Sequence, residues 1–289
     1  MQLAEILNGL DQLIPFRYAE AWDKVGLHIG NPASNIERVQ IALDLTTESI
    51  AAAKNFQADL LLLHHPPIFA PLSGLRYDQP VERPILEAVK ANLAVAALHT
   101  NLDAAPGGVA DQFAELIGLD DVITFAPLAD EKNNILSEPL FDSKKESPLV
   151  NIWKNKYSVS PGFGRTGLLP QALNLTALMQ LLREQLGSGY LMLAEGDINT
   201  VQRITVCPGS YDTAWTTLLR EQGSEVLIVG EIKYHDRLLV TAEGISVITV
   251  GHDVSERVVL QPLADLCAAC WPQLAFAVDN GIDYTKMAF

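Results

Sequence analysis

Two short, wholly apolar runs, each stopped by histidine, constrain this chain more than any other feature. Leu60-Leu61-Leu62-Leu63 runs into His64-His65-Pro66-Pro67, and Ala94-Val95-Ala96-Ala97-Leu98 runs into His99. Such runs are too short for a stable helix or a membrane span, so they read as strands. They lack polar alternation, so both faces of their sheet must be covered. A third strand, Val39-Gln40-Ile41-Ala42-Leu43, ends at Asp44. Helical stretches fall between and after these strands, around 47–56, 81–91 and 109–117. Strands alternating with helices predict parallel βαβ units.

The scheme recurs later in the chain. Arg203-Ile204-Thr205-Val206 ends at Cys207-Pro208-Gly209-Ser210, and Glu225-Val226-Leu227-Ile228-Val229 ends at Gly230-Glu231. Ser246-Val247-Ile248-Thr249-Val250 ends at Gly251-His252. Helices are expected around 213–221, 234–242 and from about 254. The expected class is α/β: two related α/β halves, with mainly parallel βαβ units, around a central cleft. The halves span 1–125 and 201–289, joined by a connecting middle region, 126–200. Residues 130–161 are polar and irregular and read as an inserted connection, and 173–186 reads as a helix.

Composition removes several classes. Thirty-five acidic against 20 basic side chains give a net charge of −15, which excludes general nucleic-acid binding. With 48% hydrophobic and 19% charged residues the chain is not disordered. Three cysteines provide no disulfide framework. Cys267-Ala-Ala-Cys270 lies in an apolar helical run with no second such pair, so it reads as buried helix cysteines. Met1-Gln2-Leu3-Ala4-Glu5-Ile6-Leu7 lacks the basic start and continuous apolar region of a signal peptide, and no stretch spans a bilayer. A cytoplasmic protein with no membrane partner is expected. Gly162-Phe163-Gly164-Arg165-Thr166-Gly167 does not open a helix after a strand and is not read as a phosphate cradle. Ser210 reads as a helix N-cap rather than an anion ligand.

The histidines carry the chemistry. Five of six fall at or just beyond strand ends: His64, His65, His99, His235 and His252. In α/β sheets, ligands bind outside the carboxyl ends of strands. Carboxylates accompany them: Asp103 four residues after His99, Glu231 four before His235, and Glu256 four after His252. Histidine with carboxylate is a ligand set for Zn, Fe, Mn or Co. Three or more imidazoles with two carboxylates suit a dinuclear site with an open water position. Adjacent His64 and His65 suit two neighbouring ions. His252 and Glu256 share a face if one helical turn holds both. Asp44 reads as a loop residue, and His28 has no visible partner.

Five segments together resemble the Nif-three-like family, whose bacterial members are called GTP cyclohydrolase type two homologues. They are Trp22-Asp23-Lys24-Val25-Gly26-Leu27-His28-Ile29-Gly30, His64-His65-Pro66-Pro67-Ile68-Phe69, His99-Thr100-Asn101-Leu102-Asp103, Gly230-Glu231-Ile232-Lys233-Tyr234-His235-Asp236 and Gly251-His252-Asp253-Val254-Ser255-Glu256. Gly164-Arg165-Thr166-Gly167 is similar to a further family pattern. The resemblance implies two divalent ions per chain held by His64, His65, Asp103, His252 and Glu256, with Glu256 bridging. It implies that His99 is a proton-transfer or supporting residue, that His235 is a cleft residue, and that the assembly is a homohexamer. The middle is too short for the larger insert of some relatives, and His28 stands where the family commonly has another polar residue.

The function implied is a metal-dependent hydrolase, of the cyclohydrolase or the phosphoester and nucleotide hydrolase class. It would use a metal-activated water on a nucleotide-like small molecule. The alternative is a non-enzymatic metal-binding scaffold, metal insertion factor or regulatory partner.

Overall fold

The computed structural model describes residues 1–129, 153, 156–187, 191–196 and 199–281. The polar stretch at 130–152 therefore lies outside the described residues. The fold is α/β, built from two mixed sheets with alternating helices and strands, and the chain divides into two compact units. One holds Met1–Leu102 and the segment beginning at Leu260; the other holds the chain from Asp103 and Trp153–Val259.

The first unit starts with α1 (Leu3–Leu13) and contains β1 (Gly26–Ile29), β2 (Arg38–Ala42), α2 (Thr47–Phe56), β3 (Leu60–Leu63), α3 (Glu82–Lys90) and β4 (Ala94–Ala97). Its sheet order is β1-β4-β3-β2, with the late strand β11 (Ala275–Asp279) beside β2. β2, β3, β4 and β11 run parallel, and only β1 is antiparallel. Every residue of β3 and β4 is buried, as their unbroken apolar runs require. Leu61, Leu63, Val95 and Ala97 face Ile50 and Ala53 of α2 and Ala88 of α3. Thr46 caps α2, and its hydroxyl and that of Ser49 exchange bonds with each other's backbone N–H.

The second unit holds α4 (Thr100–Ala104, which begins before the division), α5 (Val109–Leu116), β5 (Asp120–Pro127), β6 (Gly162–Asn174), α6 (Leu175–Leu186) and β7 (Met192–Ala194). It continues through β8 (Thr200–Ser210), α7 (Thr216–Glu221), β9 (Val226–Glu231), α8 (Tyr234–Ala242), β10 (Ser246–Thr249) and α9 (His252–Arg257). The sheet order is β5-β6-β8-β9-β10-β7. β8, β9 and β10 are parallel, whereas β5, β6 and β7 pair antiparallel, so parallel pairing is confined to the three central strands. Val226 and Ile228 face the core containing Phe113 and Leu178, while Leu227 and Val229 face Leu219 and Val240. The expected helix from about 254 begins at His252 and is followed by α10 (Leu260–Cys270), which packs on β11 in the first unit.

Among the described residues no helix is long and apolar enough to cross a membrane. Cys267 is fully buried and Cys270 half-buried, and burial pushes both thiols up, in line with helix-packing cysteines. Ser210 is not an N-cap: it ends β8, and Asp212 caps the following turn by accepting from Ala214 N at 2.9 Å. The glycine-rich Gly162–Gly167 segment is part of β6, where it brings Arg165 into the interior. Arg165 is fully buried and grips Asp111 through Nε and Nη2, both at 2.7 Å. Asp111 Oδ2 also accepts from Gly107 N at 2.7 Å, which fixes the turn between α4 and α5.

Candidate metal centre

In the first unit, parallel register gathers the side chains. β2, β3 and β4 are neighbours, so their carboxyl ends lie about 5 Å apart. The residues just past those ends are Asp44, then His64 and His65, then His99. The ladder continues through them: His64 N bonds Ala42 O at 3.1 Å, His65 N bonds Leu43 O at 2.9 Å, and Leu98 N bonds Leu63 O at 2.9 Å. His64, His65 and His99 each offer a ligand atom within 4.8 Å of the others. Their ring centroids are 4.9–5.5 Å apart.

Each ring is held by its Nδ1. His64 Nδ1 donates to Leu98 O at 2.9 Å, His65 Nδ1 to Asp44 Oδ1 at 2.7 Å, and His99 Nδ1 to Asp23 Oδ1 at 2.7 Å. A proton fixed on Nδ1 puts the lone pair on Nε2, the arrangement of metal-ligating histidines. The donor set therefore fits a divalent ion with nitrogen ligands. Asp23 also accepts from Thr100 N at 3.0 Å and from the Thr100 hydroxyl. Burial raises the Asp23 carboxyl, but the bonds from His99 and Thr100 outweigh it and hold the pKa at about 2.

The second unit repeats the device. β8, β9 and β10 are adjacent parallel strands; Gly209 and Ser210 close β8, Glu231 closes β9, and His252 lies just past β10. Because α9 begins at His252, the i, i+4 spacing brings His252 Nε2 to 3.1 Å from Glu256 Oε1, and His252 Nδ1 lies 3.3 Å from Glu231 Oε1. Glu256 is buried. Ser255 ties the helix to the strand: its Oγ accepts from Gly209 N at 2.9 Å and donates to His252 O at 2.7 Å. A methyl carbon at Gly209 would fall on Glu256 Oε1, and one at Gly230 on Gly209 O and Ser255 Oγ. Two glycines thus make the cradle in which the carboxylate sits. Asp103 lies on α4, half-buried, one turn after His99.

The remaining histidines separate from these groups. His28 on β1 bonds Lys24 O through Nε2 at 2.8 Å; burial lowers its pKa, against smaller raising effects of Lys24 and Asp23. His235 is exposed at the start of α8, its ring 5.2 Å from that of Tyr234. Sequence reasoning missed Asp23 as the carboxylate holding His99, and missed Ser255 and Gly209. The only signal for Asp23 was its place in the Trp22-Asp23-Lys24 segment.

The sequence profile described as Duf34/NIF3 (NGG1p interacting factor 3) matches residues 1–280. A GTP cyclohydrolase 1 type 2 homolog of Lactococcus lactis is 28% identical over 268 residues, covering 92% of this chain and 91% of that protein. NIF3-like protein 1 of Bos taurus is 24% identical over 333 residues, covering 93% and 87%. The crystal structure of a Bacillus cereus protein related to NIF3 superposes with a TM-score of 0.83 at 20% identity, covering 98% of each chain. The chain belongs to the Duf34/NIF3 family.

Proposed function

We propose that this protein is a metal-dependent hydrolase with a dinuclear centre, acting on a nucleotide-like small molecule. His64, His65, Asp103, His252 and Glu256 are the proposed ligands, with Glu256 the bridging carboxylate. The observation that carries this reading is the fixing of His64, His65 and His99 by an oxygen on Nδ1, which leaves each Nε2 lone pair as the ligand atom. Bound divalent ions supply Lewis acidity and make water nucleophilic near neutral pH. The chain's own residues do the rest. Asp44 and Asp23 orient His65 and His99. His99, backed by the ionised Asp23, is the proposed proton-transfer residue. The Gly209 cradle sets the Glu256 carboxylate. The N and O donors admit Zn, Fe, Mn or Co, and a homohexamer is part of the same proposal, checked by sedimentation.

The test is metal analysis of protein purified without added metal, followed by a screen of nucleotides and phosphoesters. His65→Ala and Glu256→Ala should each lose metal. Full metal content in both variants refutes the ligand set. A metal-loaded wild type that is inert across the screen refutes the hydrolase and favours the scaffold or metal-insertion role.

A further inference from the structure

Beside the histidine cluster of the first unit stand two large aromatic rings in water. Trp22 is 55% exposed and Phe69 52% exposed. Their centroids are 5.7 Å apart at 58°, and those of Trp22 and Phe69 lie 6.1 Å and 6.5 Å from the His99 ring, edge-on. Single exposed apolar residues are ordinary on a protein surface. Here two touch each other, and each sits on a segment anchored to the cluster. Trp22 precedes Asp23, whose side chain is buried and bonded to His99 and Thr100. Phe69 follows Pro66-Pro67, directly after His64 and His65. An aromatic wall beside a few converging polar groups is the usual composition of a small-molecule site.

We infer that Trp22 and Phe69 form the surface that binds a planar heteroaromatic ring of the substrate and so select for ring-bearing molecules. This rests on the reading of the histidine cluster as the reaction centre. The spacing decides how the ring binds. A sandwich between two rings needs about 7 Å, twice a normal carbon contact. At 5.7 Å and 58° the pair has no such slot, so the ligand ring lies on the outer face of the wall.

The experiment compares two probes that share sugar and phosphate and differ in the ring: guanosine 5′-monophosphate and ribose 5-phosphate. Binding to the full chain is measured by calorimetry, with metal content measured on the same preparations. Wild type should bind the nucleotide at least about tenfold more tightly, the scale of one base stacked on an aromatic side chain. Trp22→Leu should erase the preference, Phe69→Leu should reduce it, and Trp22→Tyr should retain most of it, all with wild-type metal content. Equal affinity for both probes in the wild type overturns the inference. So does a preference that survives in both leucine variants. A wild type without metal that still prefers the nucleotide would sink the metal reading and leave the aromatic wall standing.

Discussion

At the scale of single residues, the site depends on a side chain that is missing. Gly209 has φ +72°, and the space its side chain would fill is taken by the buried Glu256 carboxylate, with His252 Nε2 3.8 Å away. Gly209→Ala should therefore cost about 1–2 kcal/mol of unfolding free energy from the left-handed backbone alone. It should also weaken metal binding by about tenfold or more, because the carboxylate is pushed from its seat. Chelator competition and urea unfolding on the same sample separate the two effects. If stability falls and metal affinity does not, Glu256 is not a ligand. The local part of this site was legible in sequence. His64 and His65 are marked by the apolar strand before them, and His252 and Glu256 by a one-turn spacing. The supporting contacts were not legible, because they join distant positions: His99 to Asp23 across 76 residues, Gly209 to Ser255 across 46, His65 to Asp44 across 21. Spacing along a chain reports what shares a turn, and only strand order reports what shares a sheet end.

At the scale of elements, the strands that sequence reasoning found are mostly buried apolar ones, and those it passed over are either mixed in composition or partly exposed. β6 carries glycines, a proline and a buried arginine, and Thr166 bonds Thr205 Oγ1 at 2.8 Å and Gln222 Oε1 at 2.7 Å. A strand whose inward groups are polar and mutually bonded has no hydrophobic signature, although Gly164–Gly167 is buried throughout. β11 is apolar from Ala275 to Val278 but only half-buried, at a sheet edge. One tertiary tie of this kind is testable by pH. Lys156 donates to both oxygens of Glu115 on α5 at 2.8 Å, and Tyr157 OH also bonds Glu115. The bond from Lys156, then that from Tyr157, hold the Glu115 carboxyl below its ordinary value, and the bond to Glu115 holds Lys156 above its own. A depressed carboxyl contributes stability above its unfolded pKa and loses it as pH falls through the folded value. A raised amine contributes below its unfolded pKa and loses it as pH rises through the folded value. The pair's coupling should therefore be level between the two ordinary values and fade on both sides. Both groups are largely exposed, so a double-mutant cycle with Glu115→Gln and Lys156→Met should read under about 1 kcal/mol at pH 7. A coupling that persists unchanged at pH 3 would show that charge is not its source.

At the scale of the whole molecule, the first unit is closed by the far end of the chain. β11 runs parallel beside β2 from Ala275 opposite Arg38 to Asp279 opposite Ala42. α10 brings Leu260, Leu263, Ala264, Leu266 and Cys267 into the same unit as buried side chains, and Trp271 and Leu274 follow. A large apolar side chain contributes about 1.5–3 kcal/mol when buried, so losing several approaches the 5–15 kcal/mol that separates a folded domain from its unfolded chain. A chain ending at Val259 also leaves the outer edge of β2 without its strand. In such a chain the amides of Leu60–Leu63 and Ala94–Ala97 should lose most of their hydrogen-exchange protection. Those of Val226–Val229, whose neighbours β8 and β10 remain, should keep theirs. Unchanged protection at Leu60–Leu63 would show that the four remaining strands hold themselves together. The outcome bears on chemistry as well as stability. His64, His65 and His99 are aligned only because β2, β3 and β4 end side by side, so a unit that opens at β2 also scatters the imidazoles.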